Sequence, residues 1–323
     1  MKALCVFSGG LDSMLAAELI RTQDIHVLGL FFETPFFSSK KATQSARSMD
    51  LPLKVVNITE RHLEVVKAPK HGYGGNMNPC IDCHALMFRI AAEMLENEGA
   101  SFVLTGEVLG QRPMSQNRKA LNQVAFESGL DGLLLRPLSA KHLAPTIPEE
   151  KEWVKRDLLM DFQGRSRKPQ MELARDLSIN EYPSPAGGCI LTEKVFSRRL
   201  KDLFSLRKEV DKGEIELLKL GRHFRIAPHA KLVVGRNSIE NAAIQDLCGH
   251  EHMLLKTVSA PGPTALISGE LSEASVELAA RIVAAYSDAR GPNKTAVRVT
   301  GKGESRLLMV GIHDKKEYKK NMI

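Results

Sequence analysis

The sequence has no long hydrophobic run and few cysteines or aromatic residues. No apolar stretch among its 323 residues approaches the roughly 20 residues that span a bilayer, which argues against a membrane partner. The first residues lack the charged start, apolar middle and cleavage site of a signal peptide, so we expect a cytoplasmic protein. In that compartment the five cysteines are not expected to form structural disulfides. No internal repeat or low-complexity tract is present, which excludes the repeat architectures.

The chain does have apolar residues for a sizeable core and an excess of positive charge. Hydrophobic residues make up 43% of the chain, which is enough for a sizeable core, and the length of 323 residues favours two domains over one. Lys and Arg number 45 against 38 Asp and Glu, which gives a net charge of +7. This excess is compatible with a polyanionic partner such as nucleic acid, and also with an ordinary basic surface.

Residues 1–140 alternate between short β-rich runs and amphipathic stretches. The β-rich runs are "ALCVF", "VLGLFF", "PLKVVNI" and "FVLTG", and helical stretches cover 12–23, 40–49 and 84–98. Apolar strands that alternate with amphipathic helices predict an α/β fold with a parallel sheet covered on both faces. In such a fold, ligands bind beyond the carboxyl ends of the strands.

The remainder of the chain changes character twice. Residues 146–212 are predicted to form charged helices interrupted by the Pro/Gly-rich loop "YPSPAGGCILT". From about residue 214, strands and hairpins surround one predicted helix, 271–286. We therefore predict a first domain over residues 1–210, including the Cys189 loop, and a smaller α+β domain over residues 214–323.

A glycine turn, "SGGLDS", follows the first predicted strand and precedes a helix. This order aims the free N–H groups of a helix N-terminus at an anion. Gly9 and Gly10 permit positive φ and the close approach of a phosphate, and Ser8 and Ser13 add hydroxyl donors. Asp12 would repel a phosphate unless it holds a cation, which implies Mg²⁺. The turn is neither a Walker A loop nor a Gly-x-Gly-x-x-Gly motif.

The turn resembles the PP-loop, Ser-Gly-Gly-x-Asp-Ser, of the ATP pyrophosphatase superfamily, whose adenine nucleotide α-hydrolase-like members cleave ATP between the α and β phosphates. The segment "LTGEVLGQRPMSQ" and the following "LLLRPLS" resemble the nucleotide-site segments of tRNA 4-thiouridine synthases, with one extra residue before Ser115. Relatives in the superfamily hold adenine near the end of the second strand. The resemblance implies an ATP site made of Ser8, Gly9, Gly10, Leu11, Asp12, Ser13, Phe31, Thr105, Gly106, Gln111 and Gln116.

Two cysteines, Cys80 and Cys83, precede a predicted helix as a Cys-x-x-Cys pair, which is typical of a redox pair or a metal half-site. There is no second such pair, so a four-thiolate zinc site is excluded. The segment resembles the Asn-Pro-x-x-x-Cys-Asn motif of bacterial tRNA 2-thiouridine synthases, which makes Cys83 catalytic. Likewise, "PSPAGGC" resembles the loop that carries their second catalytic cysteine, here Cys189.

The extra Cys80 departs from that motif and resembles the 2-thiocytidine synthases and their archaeal-type thiouridine relatives. In those enzymes a Cys-x-x-Cys pair and one distant cysteine hold a 4Fe–4S cluster with one iron free. Sulfur could therefore arrive on the free iron, or as a persulfide on Cys189 with Cys83 resolving a disulfide. Three thiols favour the cluster. Gly187 and Gly188 would let the Cys189 loop fold over the site.

The C-terminal segment "KLVVGRNSIENAAI" resembles the start of the NFACT-R domain, an RNA-binding module with a Gly-Arg-Asn-x-x-x-Asn signature. The resemblance implies RNA contacts from Arg236, Asn237 and Asn241, although "EHMLLKT" replaces the usual Trp-Phe-His. Basic residues of the preceding helical region could also follow a phosphate backbone. They are Lys151, Lys155, Arg156, Arg165, Arg167, Lys168, Arg198, Arg199, Lys201, Arg207 and Lys208.

These resemblances imply an enzyme, a tRNA sulfurtransferase of the ATP pyrophosphatase type. It would use ATP, Mg²⁺ and a 4Fe–4S cluster, with tRNA as substrate and a cysteine desulfurase, a sulfur carrier or sulfide as sulfur donor. Two alternatives remain open at this point. One is an ATP-dependent amide-forming ligase that acts on a small molecule, and the other is an RNA-binding factor without enzyme activity.

Overall fold

The computed structural model describes residues 1–184, 188–207, 209–290, 294–301 and 303–323. These residues pack into two units, Met1–Thr192 and Glu193–Ile323. Within the described ranges, no helix is both long and apolar enough to cross a membrane.

The first unit is built on a five-stranded sheet with the strand order β3-β2-β1-β4-β5. All of its described pairings are parallel. From β1 the chain first adds β2 and β3 on one side of the sheet, and it then crosses back to add β4 and β5 on the other side of β1. The strands are β1 (Lys2–Val6), β2 (His26–Glu33), β3 (Leu53–Asn57), β4 (Phe102–Thr105) and β5 (Leu134–Leu135).

Helices cover both faces of this sheet, as the alternating pattern predicts. Ala3 and Cys5 of β1 enter one core cluster, whereas Leu4 enters the cluster on the other face. The helices are α1 (Leu11–Arg21), α2 (Lys40–Ser48), α3 (Thr59–Lys67), α4 (Cys80–Met94), α5 (Arg118–Glu127), α6 (Ile147–Glu150) and α7 (Lys168–Asp176). Short 3₁₀ turns cover Ala140–His142, Arg156–Leu158 and Ile190–Thr192.

Three helices of the first unit differ from the sequence prediction. The helices α3 and α5 were not predicted at all. The helix α4 begins at Cys80, four residues before the predicted start at residue 84, so both cysteines of the pair lie in its first turn. Pro79 precedes that turn, and the acidic Asp82 lies within it, where a negative charge favours the helix N-terminus.

The second unit is an antiparallel six-stranded sheet with the order β11-β10-β8-β9-β7-β6. The helix α11 packs on one face, and α10 packs on the other. Its strands are β6 (Arg222–Ala227), β7 (Ala230–Val234), β8 (Met253–Thr257), β9 (Thr264–Gly269), β10 (Thr295–Gly301) and β11 (Glu304–Val310). Its helices are α8 (Lys194–Leu206), α9 (Lys212–Lys219), α10 (Ser238–Asp246) and α11 (Glu273–Ala285), followed by a 3₁₀ segment, Lys315–Asn321.

The division between the units precedes α8, whereas the sequence prediction placed the boundary near residue 210. The difference has a physical cause, because α8 is bound to the second unit by specific polar contacts. Arg199 donates to the carbonyl oxygens of Leu218, at 2.7 Å, and Gly221, at 3.0 Å. Asp202, one turn further on, pairs with Arg225 of β6. Charge alternation along a helix does not reveal such partners in the sequence.

The turn between β1 and α1 requires a glycine at position 9 for two reasons. Gly9 has a φ of +73°, and a Cβ built on it would lie 2.5 Å from the Cα of Ala42 in α2. Gly129 provides a matched control, since its φ is +72° and nothing would lie within 4 Å of its Cβ.

We expect Gly129→Ala to cost about 1 kcal/mol of unfolding free energy through the left-handed φ alone. Gly9→Ala should cost about 1–3 kcal/mol more, because the added methyl group overpacks the contact with α2. Urea unfolding followed by the fluorescence of Trp153, the single tryptophan, measures the first unit. Equal costs for the two variants would contradict the steric explanation.

Candidate functional site

The strand order reverses between β1 and β4, and the loops that follow these two strands touch. A Cβ on Gly106, which follows β4, would lie 2.5 Å from the carbonyl carbon of Asp12 and from the nitrogen of Ser13 in α1. Crevices at such reversal points are the usual ligand sites of parallel sheets. The glycine turn and the segment 104–116 therefore lie side by side.

The glycine turn leaves the N-terminus of α1 open. Gly10 is the N-cap residue and has no side-chain cap, and its φ of −82° shows that only Gly9 uses the positive φ predicted for both. Ser8 Oγ accepts from the N–H of Gly10 at 3.3 Å, and Ser13 Oγ donates to the Gly10 carbonyl at 2.8 Å. The two hydroxyls thus hold the turn in shape, while Leu11 directs its side chain into the core.

Asp12 lies in the first turn of α1 with one carboxylate oxygen unused. Its Oδ2 accepts from Gln111 Nε2 at 3.0 Å, whereas Oδ1 is buried without a partner among the described residues. Burial raises the pKa of Asp12, and the Gln111 hydrogen bond and the charges of Arg167 and Arg112 partly oppose this rise. A buried carboxylate oxygen beside an open helix N-terminus is chemically suited to a Mg²⁺ that accompanies a polyphosphate.

Further polar atoms of the first unit are buried without hydrogen-bond partners in the described part of the chain. In the segment 104–116 and the region after it, they include Gln111 Oε1, Gln116 Oε1 and Arg167 Nε; the others in this unit are Gln23 Nε2, His62 Nδ1 and both amide atoms of Gln170. Buried polar groups are normally satisfied, so these atoms point to a ligand or water that completes them. Arg167 was predicted only as part of a basic surface, and its electrostatic contact with Asp12 could not be read from the sequence.

The other predicted nucleotide residues have different surroundings. Thr105 ends β4 and is buried, directly before Gly106. Phe31 lies in β2 within the core cluster and is 9% exposed, so most of its ring packs against protein.

A buried ion-pair network links α4 to the loop after β4. Glu107 accepts from Arg136 Nε at 2.9 Å and lies 2.8 Å from His84 Nδ1. Burial alone would raise the pKa of Glu107, but Arg136 and His84 bring it below the usual value. Sequence reasoning did not single out Glu107. The signal in the sequence was one acidic residue, Glu107, among the small and apolar residues of "TGEVLG", which is a position where a buried ion pair is expected.

The loop that carries Cys189 is fixed against the segment before α4. The N–H of Met77 donates to Leu191 O at 3.2 Å, and Asn76 Nδ2 donates to Thr192 O at 2.6 Å. Thr192 also donates back to the carbonyl of Cys189. Gly188 has a positive φ of 116°. Gly187, which was predicted to help the loop fold over the site, lies outside the described residues. Lys208, a predicted RNA contact, also lies outside them.

The three cysteines converge within the first unit although Cys189 is 106 residues from Cys83. Burial raises the pKa of Cys83, and the charges of Cys189 and Cys80 raise it further, so Cys83 lies within electrostatic range of both other cysteines. The positive charge of Arg112 favours the ionised form of both Cys80 and Asp12, and so opposes the rise that burial causes in the pKa of each. Cys80 and Asp12 of the glycine turn therefore lie within electrostatic range of the same arginine.

Cys83 has a neutral imidazole as its direct neighbour. His62 Nε2 of α3 lies 3.1 Å from Cys83 Sγ, and the His62 ring packs against Phe36 and Phe37. Burial lowers the pKa of His62 to about 4, so both partners are uncharged near neutral pH. Sequence reasoning missed His62 because it missed α3.

The thiols are suitable donors for iron, but their arrangement is not that of a ligand set. Among the residues that the structure describes, no three His, Cys, Asp or Glu side chains are placed to hold one metal ion. Cys83 instead contacts His62.

In the second unit, the predicted RNA-binding residues also stabilise the fold. The side chain of Asn237 caps α10 by accepting from Glu240 N at 2.9 Å, and Asn241 Oδ1 accepts from Thr264 N at 3.0 Å. The guanidinium of Arg236 pairs with Glu240. The motif "GRNSIEN" thus shapes the turn between β7 and α10, whatever else it contacts.

Two family models match separate parts of the chain. Residues 1–142 match the thiamine biosynthesis protein (ThiI) family, and residues 221–322 match the NFACT protein RNA binding domain. The first unit is therefore similar to the ThiI family over residues 1–142, and the second is similar to the NFACT RNA binding domain over residues 221–322.

Curated relatives are named for tRNA thiolation. The chain is 30% identical to a probable tRNA sulfurtransferase of Thermotoga maritima over 162 residues, which are 47% of this chain and 40% of the relative. It is 24% identical to the tRNA-specific 2-thiouridylase MnmA of Dichelobacter nodosus, over 64% of this chain and 57% of the relative. The chain thus spans less than half of the first relative and little more than half of the second.

Among solved structures, a 4-thiouridine synthetase in complex with RNA and ATP is similar to this chain. The sequence identity is 23%, the match covers 55% of this chain and 51% of that chain, and the TM-score is 0.36.

The buried carboxylate of Asp12 generates a prediction about stability. We expect Asp12→Asn to make the ligand-free protein about 1–3 kcal/mol more stable at neutral pH, because it removes an ionised, unpartnered oxygen but keeps an acceptor for Gln111. The folded pKa of Asp12 is raised, so its cost disappears as the pH falls through that value toward the ordinary 3.8.

The stability difference between the wild type and Asp12→Asn should therefore shrink from pH 7 toward pH 4. Urea titrations at several pH values, followed by Trp153 fluorescence, measure this difference. A variant less stable than the wild type at neutral pH would show that the carboxylate is satisfied in the free protein.

Proposed function

We propose that this chain is an ATP-dependent tRNA sulfurtransferase, which adenylates a nucleobase carbonyl and replaces its oxygen with sulfur through Cys83 and Cys189, with Cys80 beside them. One observation carries the proposal. The loop after β4 joins the two candidate sites, since Gly106 packs against the first turn of α1 and Glu107 lies 2.8 Å from Nδ1 of His84, the residue after Cys83. A nucleotide site beside a set of thiols suits a reaction that activates oxygen and delivers sulfur.

In the first step, the glycine turn and the N-terminus of α1 bind the phosphates of ATP. Thr105, Gly106, Gln111 and Gln116 border the nucleotide. Mg²⁺ held by Asp12 would neutralise the triphosphate and make pyrophosphate a better leaving group. The nucleobase carbonyl oxygen attacks the α phosphate, an O–P bond forms, and pyrophosphate leaves with the electron pair of the broken bond. Arg167 stabilises the charge that develops on the phosphates.

In the second step, the terminal sulfur of a persulfide on Cys189 attacks the activated carbon. A C–S bond forms, and AMP leaves with the former carbonyl oxygen. The Cys83 thiolate then attacks Cys189 Sγ, the S–S bond to the transferred sulfur breaks, and the thiocarbonyl base is released. The product enzyme holds a Cys83–Cys189 disulfide, which a cellular dithiol must reduce before the next turnover.

The surroundings of the cysteines support a sulfur-carrying role for Cys189 and a resolving role for Cys83. Cys189 is half-buried in a surface loop, where an external sulfur donor can reach it, whereas Cys83 is 3% exposed. His62 Nε2 also lies 3.1 Å from Cys83 Sγ, where the neutral imidazole orients the thiol. The NFACT-type unit supplies additional RNA contacts.

The proposal predicts that the two half-reactions separate in cysteine variants. Cys83→Ser and Cys189→Ser should retain tRNA-dependent pyrophosphate release but lose thionucleoside formation by at least 100-fold, since only the sulfur step needs these thiols. Asp12→Asn should lose both activities. Pyrophosphate assays and mass spectrometry of tRNA nucleosides measure the two steps.

Cys248→Ser is the matched control, because Cys248 is a half-buried cysteine of the second unit and should be dispensable. Full sulfur transfer by Cys83→Ser or Cys189→Ser would contradict the proposal. If ATP turnover required a small amine instead of tRNA, the amide-forming ligase would replace it. RNA binding without any pyrophosphate release would identify an RNA-binding factor.

The thiol route makes a second prediction. A single turnover without reductant should leave a Cys83–Cys189 disulfide, detected by mass spectrometry of peptides, and Cys80→Ser should still form it. Protein purified anaerobically should then contain sulfane sulfur and no iron. Stoichiometric iron and acid-labile sulfide, lost in Cys80→Ser, would establish the 4Fe–4S route in its place.

A further inference from the structure

The second unit contains a polar pocket of about 750 Å³. It lies where the turn between β7 and α10, the loop between β8 and β9, the end of α11 and the segment after β11 meet. This volume is within the range of pockets that hold a ligand of nucleotide size. The pocket lies outside the candidate active site of the first unit.

An arginine lies over an aromatic ring at this pocket. The Cζ of Arg222 lies 5.0 Å from the centroid of the Tyr286 ring, and that ring packs against Phe224 on the core side. A guanidinium held on an aromatic face keeps its N–H edge available, and its planar surface stacks well on a nucleobase. The pair therefore provides a fixed platform of the kind that RNA-binding proteins use.

The charges that line the pocket favour an anion. Arg290 and Lys315 line it together with Arg222, and the charge of Arg236 is largely balanced by Glu240. The acidic residues of the pocket are Asp288 and Asp314. Asp314 is engaged, since its carboxylate accepts from the backbone N–H of Lys316 at 2.8 Å.

The rim of the pocket is held in place by backbone and hydroxyl contacts. The N–H of Asp288 donates to Pro261 O at 2.8 Å, and Thr257 Oγ1 donates to Ala260 O at 2.8 Å. Ser238, the first residue of α10, is exposed on the same rim. These contacts fix the rim of the pocket. One side of it is the N-terminus of α10, where the Asn237 side chain accepts from the N–H of Glu240 and the other N–H groups of the first turn favour a phosphate.

We propose that this pocket binds one unpaired nucleotide of an RNA strand. The base stacks at the Arg222–Tyr286 platform, and the phosphate lies between Arg290, Lys315 and the N-terminus of α10. The inference rests on the proposed function in taking RNA as the substrate. Arg236, Asn237 and Asn241 also line the pocket, so the turn that carries the "GRN" motif forms one wall of it.

Two variants of the full-length chain test the pocket in different ways. Arg290→Ala removes a cation from it. Ser238→Glu adds a negative charge at the first position of α10, which favours the helix while repelling a phosphate. Loss of binding by Ser238→Glu with an unchanged or higher melting temperature therefore cannot come from unfolding.

The probes are an unmodified tRNA transcript, an eight-nucleotide oligouridine and a blunt RNA duplex, measured by fluorescence anisotropy over a range of salt concentrations. We expect Arg290→Ala to weaken binding of the tRNA and the oligouridine about fivefold to tenfold and to reduce the salt dependence by about one ion. Ser238→Glu should weaken both by at least tenfold.

Arg298→Ala and Ser238→Ala are the matched controls. Arg298 is an exposed arginine of β10 that does not line the pocket, and Ser238→Ala adds no charge. Both should bind as the wild type does. Wild-type affinity in Arg290→Ala and Ser238→Glu, or duplex binding as tight as oligouridine binding, would overturn the inference.

The pyrophosphate assay separates this inference from the proposed function. If pocket variants bind RNA like the wild type while tRNA-dependent pyrophosphate release persists, the pocket assignment fails alone. If the wild type releases no pyrophosphate but binds oligouridine through the pocket, the enzymatic proposal fails and the pocket assignment stands.

Discussion

The contact between Gly106 and the first turn of α1 is the constraint on which the candidate site depends. No side chain can be accommodated there, because a Cβ would lie 2.5 Å from backbone atoms of Asp12 and Ser13. The contact joins the loops after β1 and β4 and places Gln111 against the Asp12 carboxylate. The same segment carries Arg112, which acts on Cys80 as well as Asp12. Two bare glycines, at positions 9 and 106, thus set the geometry of the nucleotide site.

Much of the first unit could be predicted from local patterns. Apolar runs that alternate with amphipathic stretches indicate a parallel sheet with two covered faces, and the glycine turn after the first run indicates where an anion binds. These features depend on short segments, whose periodicity and turn chemistry are visible in the sequence. The spacing of the cysteines gave no such geometric information, so their convergence followed from the family resemblance alone.

The rest depends on contacts between distant segments. The helix α3 was missed, and with it His62, whose place beside Cys83 is a tertiary contact. Glu107, Arg136 and Arg167 have polar surroundings that only the fold creates. The division before α8 follows from hydrogen bonds of Arg199 to residues about 20 positions later. Conversely, the predicted RNA signature in the second unit has a clear structural purpose, because Asn237 and Asn241 hold their own turn together.

The position of β1 at the centre of its sheet has a consequence for biosynthesis. One edge of β1 pairs with β2, about 20 residues later in the chain. The other edge pairs with β4, which is synthesised only when the chain has reached Thr105. At a translation rate of about 5–20 residues per second, that second edge stays unpaired on the ribosome for roughly 5–20 s. The nascent chain therefore exposes an apolar strand edge for seconds and is a natural client for chaperones during this interval.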